Sequence, residues 1–141
     1  MKSLGIDTSN YSTSVAVTKD AEVILSKTKL LPVSDNSHGL RQSDAVFLHT
    51  KQLGEIAGEA IEKNRDIEII GVSEKPECRE DSYMPCFLPG ITVAEILGKT
   101  LDVPVYKFSH QQGHIASALL GSQRLDLFDN EFIAFHLSGG T

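Results

Sequence analysis

The polar turn in the stretch GIDTSNYSTSVAV is the first place where the residue types point to chemistry. Asp7 ends one short apolar segment, and hydroxyls follow at Thr8, Ser9 and Ser12 before the next apolar segment begins. A hairpin turn alone needs only a residue that tolerates a positive φ, such as Asn10. A turn that holds a phosphate or a hydrated cation uses a carboxylate with several hydroxyl or N–H groups. The turn is therefore a candidate binding loop.

Two histidines form a second candidate site. His110 and His114 are four residues apart in HQQGHIASALLG, a segment with helical character. This spacing puts both imidazoles on one helical face, close enough for a single cation. Two ligands are too few for a structural or catalytic site, so a third would come from elsewhere. The alternative is that one histidine packs or caps the helix while the other is solvated.

A glycine-rich segment is the third candidate. Ser138, Gly139 and Gly140 directly follow the apolar stretch FIAFHL. Glycines at the end of a strand allow the backbone to approach a ligand and aim N–H groups at an anion. The alternative is an ordinary turn that ends a strand.

Four other residues could take part in chemistry but have ordinary explanations. Cys78 and Cys86 lie in a proline-rich loop and could bracket a metal or redox site, although reduced thiols are the simpler expectation. His49 fits the surface of a helix, and His136 fits a packed or edge position in a strand.

Composition limits the class of protein. The chain has 141 residues, of which 40% are hydrophobic, enough for one domain with a real core. Its net charge of −6 argues against non-specific nucleic-acid binding by the chain alone. No apolar stretch is long enough to span a bilayer, and the start, MKSLGID, lacks the apolar region of a signal peptide. We expect a cytoplasmic protein without a membrane partner.

The elements that must position these residues follow the order βββαβαβαβ. The predicted helices lie at 43–63, with Ser43 and Asn64 as caps, at 91–101 and at 110–121. A meander followed by crossovers predicts a mixed sheet of five or six strands with helices on its faces. The predicted strands are residues 2–8, 12–19, 21–31, 67–73, 103–108 and 131–137.

This topology makes a prediction about the site. The first hairpin turn and the ends of later strands gather at one edge of such a sheet, where ligands bind. We therefore expect residues 8–12 on the same side as His110, His114 and Ser138.

Taken together, the motifs resemble one family. LGIDTSNYSTSVAV, HTKQL, PGITVAEILGKTLDVPVY, HQQGHIASAL and FHLSGGT resemble the tRNA threonylcarbamoyladenosine transferase (TsaD) family, long labelled O-sialoglycoprotein endopeptidase or M22 glycoprotease. The resemblance covers nearly the whole chain but only the N-terminal half of such a protein. It implies an α/β actin-like ATPase (ribonuclease H-like) lobe, with a three-stranded antiparallel meander, then βαβαβ, and helices on both faces. Residues 1–141 would be the N-terminal lobe of a longer two-lobe protein whose C-terminal lobe is absent.

The resemblance also implies ligands. The two histidines of the family motif bind iron or zinc, which makes His110 and His114 the metal candidates, with a further aspartate in the second half. The Ser-Gly-Gly loop, Ser138 to Gly140, would border the metal and a nucleotide, ATP or an adenylate. Thr8 and Ser9 match the first phosphate loop, and Asp7 stands where the family has glutamate or aspartate. His49 falls where the family has a histidine at the start of its long helix, as an alternative to a surface position.

Two departures lie where the substrate would sit. Tyr11 occupies the place of an aspartate that the family ties to catalysis, and a phenol cannot replace a carboxylate as base or cation ligand at neutral pH. The family's Gly-Pro-Gly loop is replaced by the longer SEKPECREDSYMPCFLPG.

Two functions follow from the resemblance. The first is a metal-dependent transferase that moves threonylcarbamoyl from its adenylate to an adenosine of tRNA, with tRNA held through the full-length complex. The second is a non-catalytic actin-like paralogue that binds a partner. A TsaB-like protein or a second copy of the chain is the expected partner. The older peptidase label ranks last, because no His-Glu pair of the usual zinc-protease kind is present. With one wall of a cleft, the chain alone is predicted to be inactive.

Overall fold

The computed structural model describes residues 1–32 and 39–137, and these form one mixed sheet with helices. One 3-10 turn, Pro85–Phe87, leads into the second helix, and another, Leu125–Asp129, follows the third. The elements in chain order are β1 Lys2–Asp7, β2 Ser12–Lys19, β3 Glu22–Leu30, α1 Gln42–Lys63, β4 Ile69–Lys75, α2 Leu88–Leu101, β5 Val105–Ser109 and α3 His110–Gly121.

The sheet has five strands in the order β3-β2-β1-β4-β5. β1, β2 and β3 form an antiparallel meander, and β4 and β5 continue the sheet parallel to β1. The register places Asp7 opposite Ser14 on β2. The meander and the crossovers are those that the sequence predicts.

One face of the sheet carries the main core. Alternate residues of β1, β2 and β4 point to this face, as the period of two in a strand requires. α1 and α2 cover them, and full burial of each large apolar side chain contributes roughly 1.5–3 kcal/mol. The core includes Leu4, Ile6, Val15, Val17, Leu53, Ile56, Ala57, Ala60, Ile70, Val72 and Ala94.

A glycine sets the distance between α2 and β5. A Cβ placed on Gly98 would lie 2.3 Å from the Cγ2 atom of Val105 and 3.2 Å from the Val103 carbonyl oxygen. Only a residue without a side chain allows this approach. Asp102 then ends α2 in the left-handed region, at φ 56°.

The opposite face of the sheet carries small side chains. α3 contacts β4 and β5 beside this face, so that helices lie on both sides of the sheet. Between α3 and the strands lies a cavity of about 850 Å³. Its floor is built from Gly5, Ser14, Ala16, Ser26, Gly71 and Ser73.

Several boundaries differ from the prediction. α1 begins one residue earlier, with Arg41 rather than Ser43 at the N-cap and no side-chain cap. Gln42 is tied instead to the loop before α2, because its Oε1 atom accepts from the Cys86 N–H at 3.0 Å. Asn64 is the C-cap, as predicted. α2 begins three residues earlier, since Pro89 is tolerated in a first helical turn.

The prediction of a strand at residues 131–137 is wrong for the described structure. This segment has no regular structure, and Ile133, Phe135 and Leu137 are 83%, 85% and 91% exposed. Its alternating apolar residues favour a strand, but a strand also needs a neighbour to pair its backbone N–H and C=O groups. No described strand offers one.

Over residues 1–32 and 39–137, none of the helices combines the length and the apolar character needed to cross a membrane.

Candidate functional site

Asp7 lies at the centre of the candidate site. It is the last residue of β1, beside the end of the parallel strand β4. Its Oδ1 atom accepts from the Ser9 N–H at 2.8 Å, and its Oδ2 atom accepts from the Ser73 hydroxyl at 2.5 Å. The same Oδ2 atom lies 2.8 Å from Nδ1 of His110. Both carboxylate oxygens are therefore engaged within the described structure.

His110 is presented by a well-capped helix end. It is the first residue of α3, directly after Ser109 at the end of β5. The Ser109 hydroxyl accepts from the Gln112 N–H at 3.2 Å, and the Gln112 side chain accepts from the Ser109 N–H at 2.8 Å. This reciprocal capping box fixes where α3 starts, and therefore where its first side chain lies.

The two predicted metal candidates meet as the helical spacing requires. The Nε2 atoms of His110 and His114 are 2.8 Å apart, and their ring centroids are 4.3 Å apart. His136 stacks on the outer side of His114, with 5.4 Å between ring centroids. The alternative of one packed and one solvated histidine also stays open, because His110 is half-buried against Asp7 and His114 is exposed.

The hydrogen bonds assign the ring protons of the neutral pair. A carboxylate can only accept, so the proton on His110 Nδ1 faces Asp7. The Nε2 atom of neutral His110 then carries a lone pair, which accepts from the Nε2–H of His114.

The contacts within the site shift the pKa values of Asp7, His110 and His114. Burial raises the pKa of Asp7, but hydrogen bonds from His110, Ser73 and Ser9 outweigh this and lower that pKa well below its ordinary value. The Asp7 hydrogen bond raises the pKa of His110, against an opposing effect of burial. Burial, with the neighbouring His110, lowers the pKa of His114. Asp7 is thus charged, and His110 holds its proton more firmly than His114.

The histidine pair fits a divalent cation in part. Two imidazole nitrogens on one tetrahedral zinc lie about 3.3 Å apart, so the 2.8 Å pair must open by about half an ångström. Asp7 is not a third ligand, because its oxygen faces Nδ1, the opposite side of the His110 ring. Among residues 1–32 and 39–137, no group of three or more histidine, cysteine, aspartate or glutamate side chains could hold a metal ion. The pair supplies two ligands, and the rest must come from elsewhere.

The hydroxyls of the first turn differ in their freedom to bind a ligand. Thr8 is fully buried, and its hydroxyl donates to the Cys86 carbonyl at 2.8 Å. The Ser9 N–H is held by Asp7, while Asn10 takes the positive φ of the turn, 42°. Ser12 remains partly exposed. Ser9 is buried, at 6% exposure, so a phosphate role for this turn stays a prediction that rests mainly on Ser12.

The structure brings together some of the residues that were predicted to share one edge of the sheet. Ser9 and His110 both bond Asp7, so the first turn and the start of α3 lie on the same side of the sheet, as predicted. The glycine-rich candidates Ser138, Gly139 and Gly140 lie outside the described residues, and their role stays a prediction.

A second polar network lies beneath the turn, and the sequence did not reveal it. His49 is fully buried, so its interpretation as a surface residue is wrong. Its Nδ1 atom lies 2.8 Å from the Thr13 hydroxyl, which donates to the Gln52 side-chain oxygen at 2.9 Å. Gln52 in turn donates to the Leu30 carbonyl at 2.9 Å. The signal was available, because His49 shares a helical face with the buried Leu53.

The proton on His49 follows from this chain of bonds. Thr13 already donates to Gln52, so its oxygen accepts from the Nδ1–H of His49. The Nε2 atom of His49 is buried and has no hydrogen-bond partner among the described residues. Burial lowers the pKa of His49, which favours this neutral form.

The cysteines and Tyr11 have other neighbours in the described structure. Both cysteines are free thiols, as expected from the sequence, with Cys78 exposed and Cys86 buried. The Cys78 sulfur lies 3.4 Å from the Ser109 hydroxyl. Tyr11 is half exposed, and its hydroxyl lies beside Gly39.

The site opens into the cavity on the small-residue face of the sheet. Asp7, His110 and His114 line one end of this cavity, and Phe108 and Phe128 contribute aromatic walls. A polar, partly charged end and a mostly apolar body suit an organic ligand with one polar end.

Solved structures define the class of fold. YeaZ from Pseudomonas aeruginosa has a TM-score of 0.55 at 20% sequence identity, covering 77% of this chain and 43% of that chain. RuvC of T. thermophilus, in complex with a Holliday junction substrate, has a TM-score of 0.51 at 16% identity, covering 79% of this chain and 66% of that chain. At such identities the likeness concerns the fold alone. The chain has the actin-like, ribonuclease H-like α/β fold that the sequence predicts.

Sequence relatives narrow the family. The chain is 30% identical to the tRNA N6-adenosine threonylcarbamoyltransferase of Borreliella burgdorferi (strain ZS7), over 99% of this chain and 39% of the relative. It is 30% identical to the enzyme of the same name from Dictyoglomus turgidum, over 99% of this chain and 41% of the relative. It is 28% identical to the enzyme of the same name from Methanopyrus kandleri, over 97% of this chain and 39% of the relative. No family model matches the chain. The chain is a homologue of the tRNA N6-adenosine threonylcarbamoyltransferases, as its motifs indicate, and it spans about two fifths of their length.

Proposed function

We propose that this chain is the N-terminal lobe of a TsaD-like transferase, which moves a threonylcarbamoyl group from its adenylate to an adenosine of tRNA. The observation that carries the proposal is the contact of Asp7, His110 and His114 at one end of the cavity, in a homologue of these transferases. An ordered, partly buried polar cluster of this kind has no evident use in a fold that serves only as a scaffold.

The histidine pair would hold a divalent cation, iron or zinc, through the two Nε2 atoms. The bound ion would act as a Lewis acid that polarises the carbonyl of the threonylcarbamoyl group. His110 and His114 would orient this centre from the capped start of α3. Completion of the ion's ligand set is assigned to the part of the transferase that this chain does not span.

The first turn and the glycine-rich segment would hold the adenylate. The Ser9 and Ser12 hydroxyls border the turn, and the backbone N–H groups of Ser138, Gly139 and Gly140 would face an anion. The Asp7 carboxylate repels a phosphate and is better suited to its contact with His110. ATP or an adenylate is the proposed nucleotide.

The tRNA would be bound by the complete assembly. The net charge of −6 makes this chain a poor nucleic-acid binder alone, so basic surface must come from other parts of the assembly. A TsaB-like protein is the proposed partner, which is in keeping with the fold likeness to YeaZ.

The second candidate is a non-catalytic paralogue with the same fold. Tyr11 favours it, because its half-exposed ring replaces a carboxylate at the first turn. The two candidates differ in what they require of His110: the transferase needs its Nε2 atom, and a scaffold does not.

The test is transfer by the full-length protein. We would incubate it with a TsaB-like partner, threonylcarbamoyl adenylate, tRNA and zinc or iron, and measure the modified nucleoside by mass spectrometry. The proposal expects transfer that falls at least about 100-fold in His110→Ala. Gln111→Ala, on the next position of α3, is the matched control and should keep it.

Two outcomes would contradict the proposed transferase. Absence of transfer by the wild type and by Tyr11→Asp, with both proteins folded, would favour the paralogue that binds a partner. Transfer that persists in His110→Ala would remove the histidine pair from the mechanism.

A further inference from the structure

The position of Asp7 relative to the histidine pair carries a further inference. His110 uses both ring nitrogens: Nδ1 faces Asp7 at 2.8 Å, and Nε2 faces His114 at 2.8 Å. Asp7 thus lies behind His110, on the side away from the nitrogen that would bind an ion. It contacts His110 without being placed to contact the ion.

Two other roles for Asp7 agree less well with its contacts. Its Oδ2 atom, the one that faces His110, already accepts from Ser73 and His110, which fills both acceptor positions of that oxygen, and its Oδ1 atom accepts from the Ser9 N–H. A charged carboxylate at this point also repels a phosphate. Its contact with Nδ1 instead allows Asp7 to control the orientation and the tautomer of the His110 ring.

We propose that Asp7 is a positioning residue that fixes the ring orientation and the tautomer of His110, so that the Nε2 lone pair of His110 is pre-organised for a divalent cation, which His114 joins once its own proton moves to Nδ1. This inference rests on the proposed ion site. Histidines that bind metals usually donate the second ring N–H to a carboxylate, and loss of that partner typically costs about 10- to 100-fold in metal affinity.

Asp7 is itself held by two neighbours, which makes the arrangement rigid. Ser9 fixes one carboxylate oxygen through a backbone N–H, and Ser73 on β4 fixes the other through its hydroxyl. The carboxylate plane therefore depends on both β1 and β4. Loss of the Ser73 hydroxyl should loosen Asp7 without removing its charge, and its effect on ion affinity should be smaller.

The substitution Asp7→Asn has a defined effect in this geometry. The Ser9 backbone can only donate, so the amide oxygen of the new side chain must face Ser9. The amide NH2 group then faces His110 Nδ1, which must accept, and the His110 proton moves to Nε2. The proton would occupy the nitrogen that an ion needs, as in enzymes where an Asn replaces the Asp behind a catalytic histidine.

The experiment has two readouts on the chain and its variants. Long-range ¹H–¹⁵N NMR of the ion-free protein at about pH 9 reports which His110 nitrogen carries the proton. Competition titration with zinc alone gives the affinity. We expect Nδ1–H in the wild type and Nε2–H in Asp7→Asn, with zinc affinity lower by about 10- to 100-fold.

Three further variants complete the test. Ser73→Ala should keep Nδ1–H and lose less affinity than Asp7→Asn, which keeps the test informative if Asp7→Asn folds poorly. Asp44→Asn, an exposed aspartate in the first turn of α1, is the matched control and should change neither readout. His110→Ala should abolish the binding that depends on the pair.

The outcomes separate this inference from the function on which it rests. An unchanged His110 tautomer, or unchanged zinc affinity, in folded Asp7→Asn overturns the positioning role and leaves the ion site in place. Zinc affinity that is unaffected by His110→Ala removes the ion site, and with it the positioning role proposed for Asp7.

Discussion

Asp7 and His110 are 103 positions apart in the sequence, and the carboxylate of one lies 2.8 Å from the imidazole of the other. Asp7 ends the central strand β1, and His110 begins α3 directly after the edge strand β5. The contact therefore depends on the parallel alignment of β1, β4 and β5. It brings the first strand and the last described α-helix of the chain together at the candidate site.

This contact should give the free energy of unfolding a defined pH dependence. The pKa of His110 is raised from 6.5, so its contribution is complete below pH 6.5 and is lost as pH rises through the folded-state pKa. The pKa of Asp7 is lowered from 3.8, so its contribution is present above pH 3.8 and is lost as pH falls through the folded-state pKa.

We therefore expect Asp7→Asn to destabilise the chain more at about pH 5.5 than at about pH 8.5. Urea unfolding in the presence of a chelator measures this difference. Asp44→Asn should show no such dependence. An equal loss at both pH values would mean that the contact does not form in solution.

The buried His49 makes the opposite prediction about pH. Burial lowers its pKa from 6.5, so the unfolded state takes up its proton first, and stability falls as pH decreases below 6.5. His49→Ala should remove this dependence. It should also cost about 2–4 kcal/mol at neutral pH, because it leaves a cavity and removes the Thr13 hydrogen bond.

Thr50→Ala, the next residue on α1, is the control and should change stability by less than about 0.5 kcal/mol. Denaturant unfolding at several pH values measures both effects. A His49→Ala variant as stable as the wild type would contradict the burial of this ring.

Glycine at position 98 is a packing requirement that can be tested directly. A Cβ there would lie 2.3 Å from the Cγ2 atom of Val105, so Gly98→Ala should lose about 1–3 kcal/mol, despite the better helix propensity of alanine. Gly58→Ala on α1 meets nothing within 4 Å and should gain about 0.5–1 kcal/mol. Thermal or urea unfolding measures both effects. If Gly98→Ala stabilised the chain as Gly58→Ala should, the close approach of α2 to β5 would be contradicted.

The exposed apolar residues at 131–137 should promote self-association. Ile133 and Phe135 are more than four-fifths exposed, and such unpaired apolar segments pair readily with other chains. The double variant Ile133→Asp and Phe135→Asp should lower the association measured by sedimentation velocity and leave the unfolding free energy unchanged. Association that persists would locate the sticky surface elsewhere, α1 being the first place to examine.

Local patterns were sufficient to predict much of this fold. The short apolar segments of β1 and β2, the β-branched segment of β4 and the helical spacing in α1 and α3 lie within windows of a few residues. The contact between His110 and His114 follows from an i, i+4 spacing alone. The mixed sheet follows from the order of these elements and the rules for crossovers.

Other features depended on information that a local pattern does not contain. The hydrogen bond between Asp7 and His110 depends on strand register and on side-chain rotamers. Residues 131–137 have the composition of a strand, but no described strand lies beside them to pair with their backbone. The burial of His49 could have been inferred from its position on the apolar face of α1, since a histidine is compatible with a core when hydroxyl and amide groups satisfy it.

A crystal structure of the chain, grown with zinc and measured at the zinc absorption edge, tests the proposed ion site most directly. We expect an anomalous peak within about 2.1 Å of the Nε2 atoms of both His110 and His114, with Asp7 still bonded to His110 Nδ1 and not to the ion. A peak at Cys78 or Cys86, or one that Asp7 ligates directly, would contradict it.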